Sequence, residues 1–389
     1  MKVKSLLIVI VLLTVLSAIV YIGQRTAPLV PDDARLERSL FSNVEIEQAA
    51  KLRLEDQGKT VTLIRQADGT WCVASYFNLP ADFTKLSAFT SSLTEAKLLR
   101  LVTTSTESIA RLEFKDTRIV ILDAADKVIQ SVTLGKRAEP SSGRYVRFGT
   151  EQKAYLTDLS AQPDVDQQSW ADTRLLDLKP EDINAVYITF SDGTTVTLAR
   201  TKKEAPWTAD PTPEGKRING GKISSLISLT GNVRFSNTVD PDDANVAAAK
   251  AHQRLVKLTT FDGQTYAVAM GRKPEDRKLK PATAQQAPMP AIEKNVAAPA
   301  DGVTKIPADK NPGETKPSIP EYDIIPAGPV IVFINSSDST VPANTLMKKR
   351  AFQIPDYSYT GLPQTTEELF EAIPPEKPEL AQPLEPKKG

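Results

Sequence analysis

Few residues in this chain have the type and spacing to do chemistry, and the scarcest are the most informative. His252 is the one imidazole and Cys72 the one thiol. Together they exclude an intramolecular disulfide, a zinc cluster of thiolates and imidazoles, and any triad needing a second histidine. An imidazole near neutral pKa can serve as a base or metal ligand. No motif surrounds His252, which closes the run Ala247 to Gln253, and a surface or capping role is expected. Cys72 follows Trp71 in a strand-like run and reads as a buried structural thiol. Asp240-Pro-Asp-Asp is the densest acidic cluster, but without the alternating ligands and central glycine of a calcium loop it reads as a solvated turn. Arg144 and Arg147 flank Tyr145 and could grip a phosphate or carboxylate bidentately; on an exposed strand face they are expected to be structural. Trp71 and Trp207 could stack on a sugar, yet their matching positions point to core packing that closes a sheet. The chain has no phosphate-binding Gly-rich loop ending in Lys-Ser or Lys-Thr, no G-x-S-x-G elbow, no S-x-x-K pair and no H-E-x-x-H. No catalytic, cofactor-binding or metal-ligating residue is nominated, no cofactor is implied, and the expectation is a protein that is not an enzyme.

The elements that would position any site recur. Arg118 to Arg137 lies over Arg254 to Lys273 without a gap, with six identities in twenty positions: Arg118/Arg254, Val120/Val256, Leu122/Leu258, Asp126/Asp262, Val132/Val268 and Gly135/Gly271. The same offset of 136 carries Trp71 onto Trp207, so two tandem copies of one unit are expected. Each copy reads as period-two runs broken by turn pairs, then an amphipathic helix, then more strands. In copy one the runs start at Lys51, Thr60 and Trp71, the helix covers Ala81 to Leu99 with Phe83, Leu86, Phe89, Leu93 and Leu98 on its face, and strand pairs follow at 118–134 and 144–157. In copy two Ser191-Asp192-Gly193 turns a hairpin, the helix covers Ile218 to Leu229, and a second hairpin spans 254–270. Gly328 to Asn335 is matched with Lys153 to Asp158, and Lys348 to Phe352 with Ala171 to Leu176, at an offset of 176.

Lysine plus arginine and aspartate plus glutamate both total 48, so no net charge draws the chain to nucleic acid. Lys2 and Lys4 precede the uncharged apolar run Ser5 to Ile22, and at ~1.5 Å per helical residue these residues nearly cross a hydrocarbon core of roughly 30 Å. An uncleaved single-pass anchor is favoured over a signal peptide cut near Leu16-Ser17-Ala18, because the apolar segment continues past it. Positive-inside logic puts the bulk of the chain outside the cytoplasm; the resemblance described below implies the periplasmic side of a bacterial inner membrane. The expected organisation is an anchor at 1–23, a spacer at 24–40, a first α+β repeat at 41–175, a second at 176–273 and 321–360, an insert at 274–320, and a short helix with a Pro-rich tail at 361–389. Nine prolines in the 47 residues of the insert predict disorder. In the last segment Thr365 is expected to cap a helical turn with Glu368 three residues on. The fold class is α+β: two antiparallel-sheet domains, each covered by one helix, behind one transmembrane helix.

Trp71, Pro80-Ala81-Asp82, Leu134-Gly135, Tyr145-Val146-Arg147 and Ala154-Tyr155-Leu156, behind an apolar anchor, resemble the bacterial domain-of-unknown-function family numbered 4340. Copy two keeps Trp207 and Gly271 but has Ile218-Asn219 for Ala-Asp and no clear Tyr-Val-Arg. The resemblance implies a single-span protein with an extracytoplasmic α+β repeat, of a kind sometimes encoded beside ABC-type transporters related to gliding-motility systems; it brings no catalytic residue. The leading expectation is an accessory or docking subunit of an envelope or ABC-type transport assembly, held in the bilayer through residues 5–22. The alternative is a module whose cleft between the copies binds an envelope glycan or peptide. Third is a hydrolase using carboxylates alone, which needs two acids facing each other across a groove.

Overall fold

A computed structural model describes residues 33–139, 143–190, 192–279 and 322–373. The expected anchor at 5–22 and the Pro-rich tail from 374 lie outside them. Among the described residues no helix is long and apolar enough to cross a membrane. The chain divides into two compact units, 1–174 and 175–389, both α+β and mostly sheet, and neither sheet closes into a barrel.

The first unit begins with a short helix, α1 (Asn43–Glu47), whose N-cap Ser42 forms a capping box with Glu45. Strands β1 (Lys51–Asp56), β2 (Lys59–Arg65), β3 (Trp71–Val73) and β4 (Leu79–Pro80) form a meander, followed by α2 (Phe83–Glu95), β5 (Leu98–Thr103) and α3 (Thr106–Ala110). Then come β6 (Arg118–Leu122), β7 (Val128–Arg137), β8 (Arg144–Phe148) and β9 (Ala154–Thr157). The sheet order is β4-β3-β2-β1-β6-β7-β8-β9-β5. Alternation decides which face is inside: Leu52, Leu54, Val61 and Leu63 are buried while their neighbours in sequence are not. Helix α2 starts where the Asp82 side chain accepts from the Lys85 amide and stops where Ala96 turns extended. It is shorter than the periodicity predicts. Leu86, Phe89 and Leu93 form its buried stripe, Phe83 is 73% exposed, and Leu98 belongs to β5.

The second unit contains β10 (Arg174–Asp177), β11 (Ile183–Thr189), β12 (Thr195–Ala199), β13 (Thr208–Asp210), β14 (Lys216–Ile218), α4 (Gly220–Gly231), β15 (Asn232–Arg234), β16 (Asn237–Val239) and α5 (Ala244–Ala251). It continues with β17 (Gln253–Thr260), β18 (Thr265–Gly271), β19 (Asp276–Leu279), β20 (Tyr322–Ile325), β21 (Val330–Ser336), α6 (Pro342–Lys349), β22 (Ala351–Ile354), α7 (Asp356–Thr360) and β23 (Phe370–Ala372). Its main sheet runs β13-β12-β11-β17-β18-β21-β22-β16, with two-stranded ribbons β10-β15, β14-β23 and β19-β20. Helix α4 is capped as α2 is, by the Asn219 side chain accepting from the Lys222 amide.

Several expectations need correction. Each unit carries more than one helix. Strand β21 (Val330–Ser336) lies beside β18 as β8 lies beside β7, and β22 beside β21 as β9 lies beside β8, so in sheet order Gly328–Asn335 falls one strand away from the expected match with Lys153–Asp158. Lys348 to Arg350 close α6 and lead into β22, so they do not match Arg174. The gapless 20-residue match also slips by one. A bulge in the β6-β7 pair lets Asp126, at φ 63°, do the turn work of Gly263, at φ 86°, and not of Asp262. Asp276–Leu279, inside the expected insert, pairs with Tyr322–Ile325, and residues 280–321 lie outside the description. The expected last helix is a 3-10 turn, Thr366–Leu369, without a Thr365 side-chain cap, and Phe370–Ala372 pairs with β14. Residues 33–40, expected as spacer, pack on the first sheet.

Candidate functional site

The residues singled out in the sequence are scattered. His252 is exposed at the C-cap of α5, its amide donating to the Ala249 carbonyl. Cys72 is 6% exposed on β3, with the Gln66 amide 2.8 Å from its sulfur. In the acidic turn, Asp243 caps α5 and Asp240 pairs with Arg350 at 3.2 Å, and no cluster of three metal-ligating side chains occurs among the described residues. Arg144 spends its Nε on the Gly135 carbonyl at 3.0 Å, and burial and then the Arg137 charge push its pKa down. Arg147 lies over the Phe114 ring at 5.3 Å. Trp71 and Trp207 are half-buried and do not fill a core; Trp207 instead supports the Arg200 guanidinium at 4.7 Å.

Trp170 is the tryptophan that fills the core, at 1% exposure, and sequence reasoning missed its role. Its ring meets Phe89 edge-on at 5.5 Å, and its indole N–H donates to the Asp164 carbonyl at 2.8 Å. Over the other side lies the Lys85 ammonium, 4.6 Å from the ring centre. Lys85 Nζ contacts Asp164 Oδ2 at 2.6 Å, Ser169 Oγ at 2.7 Å and the Ser169 carbonyl at 3.2 Å. Ser169 Oγ also lies 2.6 Å from Asp164 Oδ2.

A serine beside a lysine invites a hydrolase reading, and the electrostatics weigh against it. Lys85 Nζ donates to both Asp164 Oδ2 and Ser169 Oγ, whereas a lysine base must accept the proton of the serine. Burial would raise the Asp164 pKa, yet the hydrogen bonds from Lys85 and Ser169 overcome it and hold the pKa below the usual value. The ammonium engages the serine lone pair that would attack. The cluster is best suited to pinning α2 to the 164–170 segment. Sequence spacing gave no hint, since Lys85 and Asp164 are 79 positions apart.

Beside this cluster a groove of about 820 Å³ opens, lined by Lys59, Thr60, Tyr76, Asp166, Gln167 and neighbours. It is bounded by Gly58 to Thr60, by Tyr76 and by the 164–168 loop. Gln167 Nε2 donates to the Thr60 carbonyl at 3.1 Å, fixing loop to sheet.

The third feature of the first unit is a clamp on its N-terminal segment. Asp33 accepts from Lys153 Nζ at 2.9 Å, Tyr155 Oη at 2.7 Å and the Arg35 amide at 3.1 Å. The Lys153 hydrogen bond and then that from Tyr155 hold the Asp33 pKa at about 2. Burial, then the hydrogen bond to Asp33, pushes the Tyr155 phenol above its ordinary range. Arg35 makes a bidentate pair with Glu151, both bonds 2.7 Å, and lies 4.8 Å over the Phe148 ring. The backbone follows: Glu37 donates to Leu98, Leu40 to Ala96 and Phe41 to Leu93. Leu40 and Phe41 are fully buried.

In the second unit Tyr359 of α7 stacks under two guanidinium groups, Arg254 at 4.4 Å and Arg272 at 5.4 Å. Arg254 also hydrogen-bonds Gln364, and Arg272 pairs with Asp356 at 3.4 Å. These contacts tie the 356–364 segment to β17 and the end of β18. A second groove, about 420 Å³, is lined by Lys179, Asn232, Arg234 and Tyr357 among others.

Residues 71–253 match the family model described as Domain of unknown function (DUF4340). The match opens at the first residue of β3 and closes at the first of β17, so it draws on both units. Neither a curated protein nor a solved structure matches the chain.

Proposed function

We propose that this chain, whose residues 71–253 belong to the domain-of-unknown-function family 4340, is a non-enzymatic single-pass inner-membrane protein. In this reading a duplicated periplasmic domain docks as an accessory subunit of an envelope or ABC-type transport assembly. The observation that carries the reading is the clamp. If Ser5 to Ile22 spans the bilayer, ten residues separate it from Asp33, and an extended chain of that length reaches at most roughly 35 Å. The first unit would then be held close to the membrane by a segment that is part of its own fold, where it could meet a membrane partner at fixed height.

Duplication draws support from local detail. Both main sheets contain the sequence of a three-strand meander, a return strand and its hairpin, then two further strands and an edge strand. Asp82 and Asn219 cap the corresponding helices. A Cβ on Gly135 would fall 2.6 Å from the Leu112 carbonyl, and one on Gly271 would collide with the Ala249 carbonyl, so both glycines let the segment before the return strand approach the sheet. The ABC-type partner is implied by the family resemblance, and the acidic and basic clusters described above have structural employment that leaves no catalytic pair nominated.

Topology is the first test. Cys72 is the only thiol and is buried, so a Glu214→Cys variant adds one exposed thiol. Labelling in intact cells by a membrane-impermeant maleimide, with the protein retained in carbonate-washed membranes, is expected. Labelling only after lysis, or release by carbonate, overturns the proposal.

A further inference from the structure

We infer that the outer face of the second unit's main sheet, centred on Tyr187 and Lys257, is the docking site for one amphipathic α-helix of a partner protein, a helix that presents a carboxylate. The inference deepens the docking proposal and rests on it. Sheet register defines the face. Tyr187 on β11 stands opposite Thr197 on β12 and Lys257 on β17, and Lys257 stands opposite Ala267 on β18. Directly opposed residues share a face, as do residues two positions along each strand. The intervening Val186, Ile188, Val256 and Leu258 point the other way and are buried.

The first unit supplies an internal control. Its β1 lies between β2 and β6 as β11 lies between β12 and β17. On β1 the outer places hold Lys51, Arg53 and Glu55; on β11 the same places hold Ala185, Tyr187 and Thr189. Glu55 faces Arg118 across the ladder and pairs with it at 3.5 Å, whereas Thr189 faces Leu255. Charges paired with one another suit a face left in water. In the second unit all four places are uncharged, Tyr187 stays 37% exposed, and alanine at 185 and 267 is not explained by strand propensity. The one charge gained is Lys257, where β6 has Val120.

The occupant follows from neighbour, size and charge. Helix α5 already sits at one end of this face: Val246 and Ala249 pack with Ile331, Phe333 packs against them, and Phe333 stands opposite Ala269. Beside it, four strands about 4.8 Å apart and three rows about 7 Å apart leave a patch on the order of 300 Å². One helix of about 10 Å diameter fits there, and the patch falls well short of the roughly 800 Å² per partner of a stable dimer. Lys257 Nζ lies 6.0 Å from the Tyr187 ring centre and has no carboxylate partner among the described residues, so an acid on the incoming helix completes it. A second copy docking through this face about a two-fold axis would instead bring the lysine towards its own mate.

The test is photocross-linking in native membranes from the full-length protein with p-benzoylphenylalanine in place of Thr197, and mass spectrometry of the linked peptides. The same replacement at Thr62, which stands opposite Arg53 in the first unit, is the control. Expected is a link from position 197, and not from 62, to a helical segment of another protein that contains Asp or Glu. Lys257→Glu, at an exposed position, is expected to lower the yield about tenfold at an unchanged unfolding temperature, and lysine in place of the partner's acid is expected to restore it. Equal linking from both positions, links to a second copy or to the chain's own residues 280–321, or a yield that Lys257→Glu leaves unchanged would overturn the assignment. A partner that co-purifies but is never linked from position 197 overturns this face and leaves the docking proposal standing; no co-purifying partner overturns both.

Discussion

Removing the charge of Asp33 while keeping its shape should loosen the N-terminal segment and leave the rest of the fold alone. A carboxylate lowered from 3.8 to about 2 corresponds to about 2.4 kcal/mol at face value. Lys153 is 47% exposed, so solvent screening reduces the expected loss in Asp33→Asn to about 1 kcal/mol. Asparagine still accepts from Tyr155, which prevents a larger loss. Such a change raises the local opening constant about fivefold, since 1.4 kcal/mol is a factor of ten. Hydrogen exchange of the full-length protein at neutral pH should therefore show the amides of Glu37, Leu40 and Phe41, which donate to Leu98, Ala96 and Leu93, exchanging about fivefold faster. Amides of β17 and β18 should not change. Because the folded pKa is depressed, the stabilisation is complete above the unfolded value of 3.8 and is lost as pH falls through about 2. The difference in unfolding temperature between wild type and variant should be constant above pH ~5 and close towards pH ~2. Unchanged exchange at these three amides, or acceleration spread evenly over both units, would refute the reasoning.

Trp170→Ala should cost about 3–5 kcal/mol by emptying a buried site, read as a lowered first-unit unfolding temperature and exposure of Cys72 to thiol reagents. Gly271→Ala should destabilise the second unit, because its Cβ meets the Ala249 carbonyl and not a movable side chain; Gly263→Ala, in open space but at φ 86°, should cost about 1 kcal/mol through backbone strain alone. Thermal unfolding ranks the two, and equal effects would contradict the close-approach account. Replacing 280–321 by Asn-Gly joins Leu279 to Tyr322, which already face each other in the ladder; cooperative unfolding of the second unit should survive, whereas a deletion running from 274 should lose the β19-β20 ribbon.

The strands at 51–56 and 59–65 were legible because one buried face imposes alternation, whereas 118–122, buried at four consecutive positions, was legible as an apolar run that recurs near 254–258. The helices at 83–95 and 220–231 were legible from their stripes, although Phe83 shows that periodicity does not fix an end: the cap at Asp82 does. The matched glycines at 135 and 271 were visible as identities, and only coordinates reveal the carbonyl each accommodates. Long-range chemistry stayed hidden. Asp33 finds Tyr155 across 122 positions and Lys85 finds Ser169 across 84, and no local pattern encodes either pairing. Helix α6 sits between β21 and β22 where β8 and β9 have only a turn, which is why the final strands were matched one place out. The Trp71 and Trp207 correspondence led to a core role that the half-buried rings do not fill, while Trp170, without a partner in the pattern, fills one.

The central claim is that the protein works by holding a partner at the membrane. Affinity purification of the full-length protein from gently solubilised native membranes, followed by mass spectrometry against a version lacking residues 1–23, tests it directly. The account predicts co-recovery of a transporter permease and its ATPase, or another envelope complex, with the anchored protein and not with the truncated one. Recovery of the protein alone, from a preparation in which other membrane complexes stay intact, would contradict it.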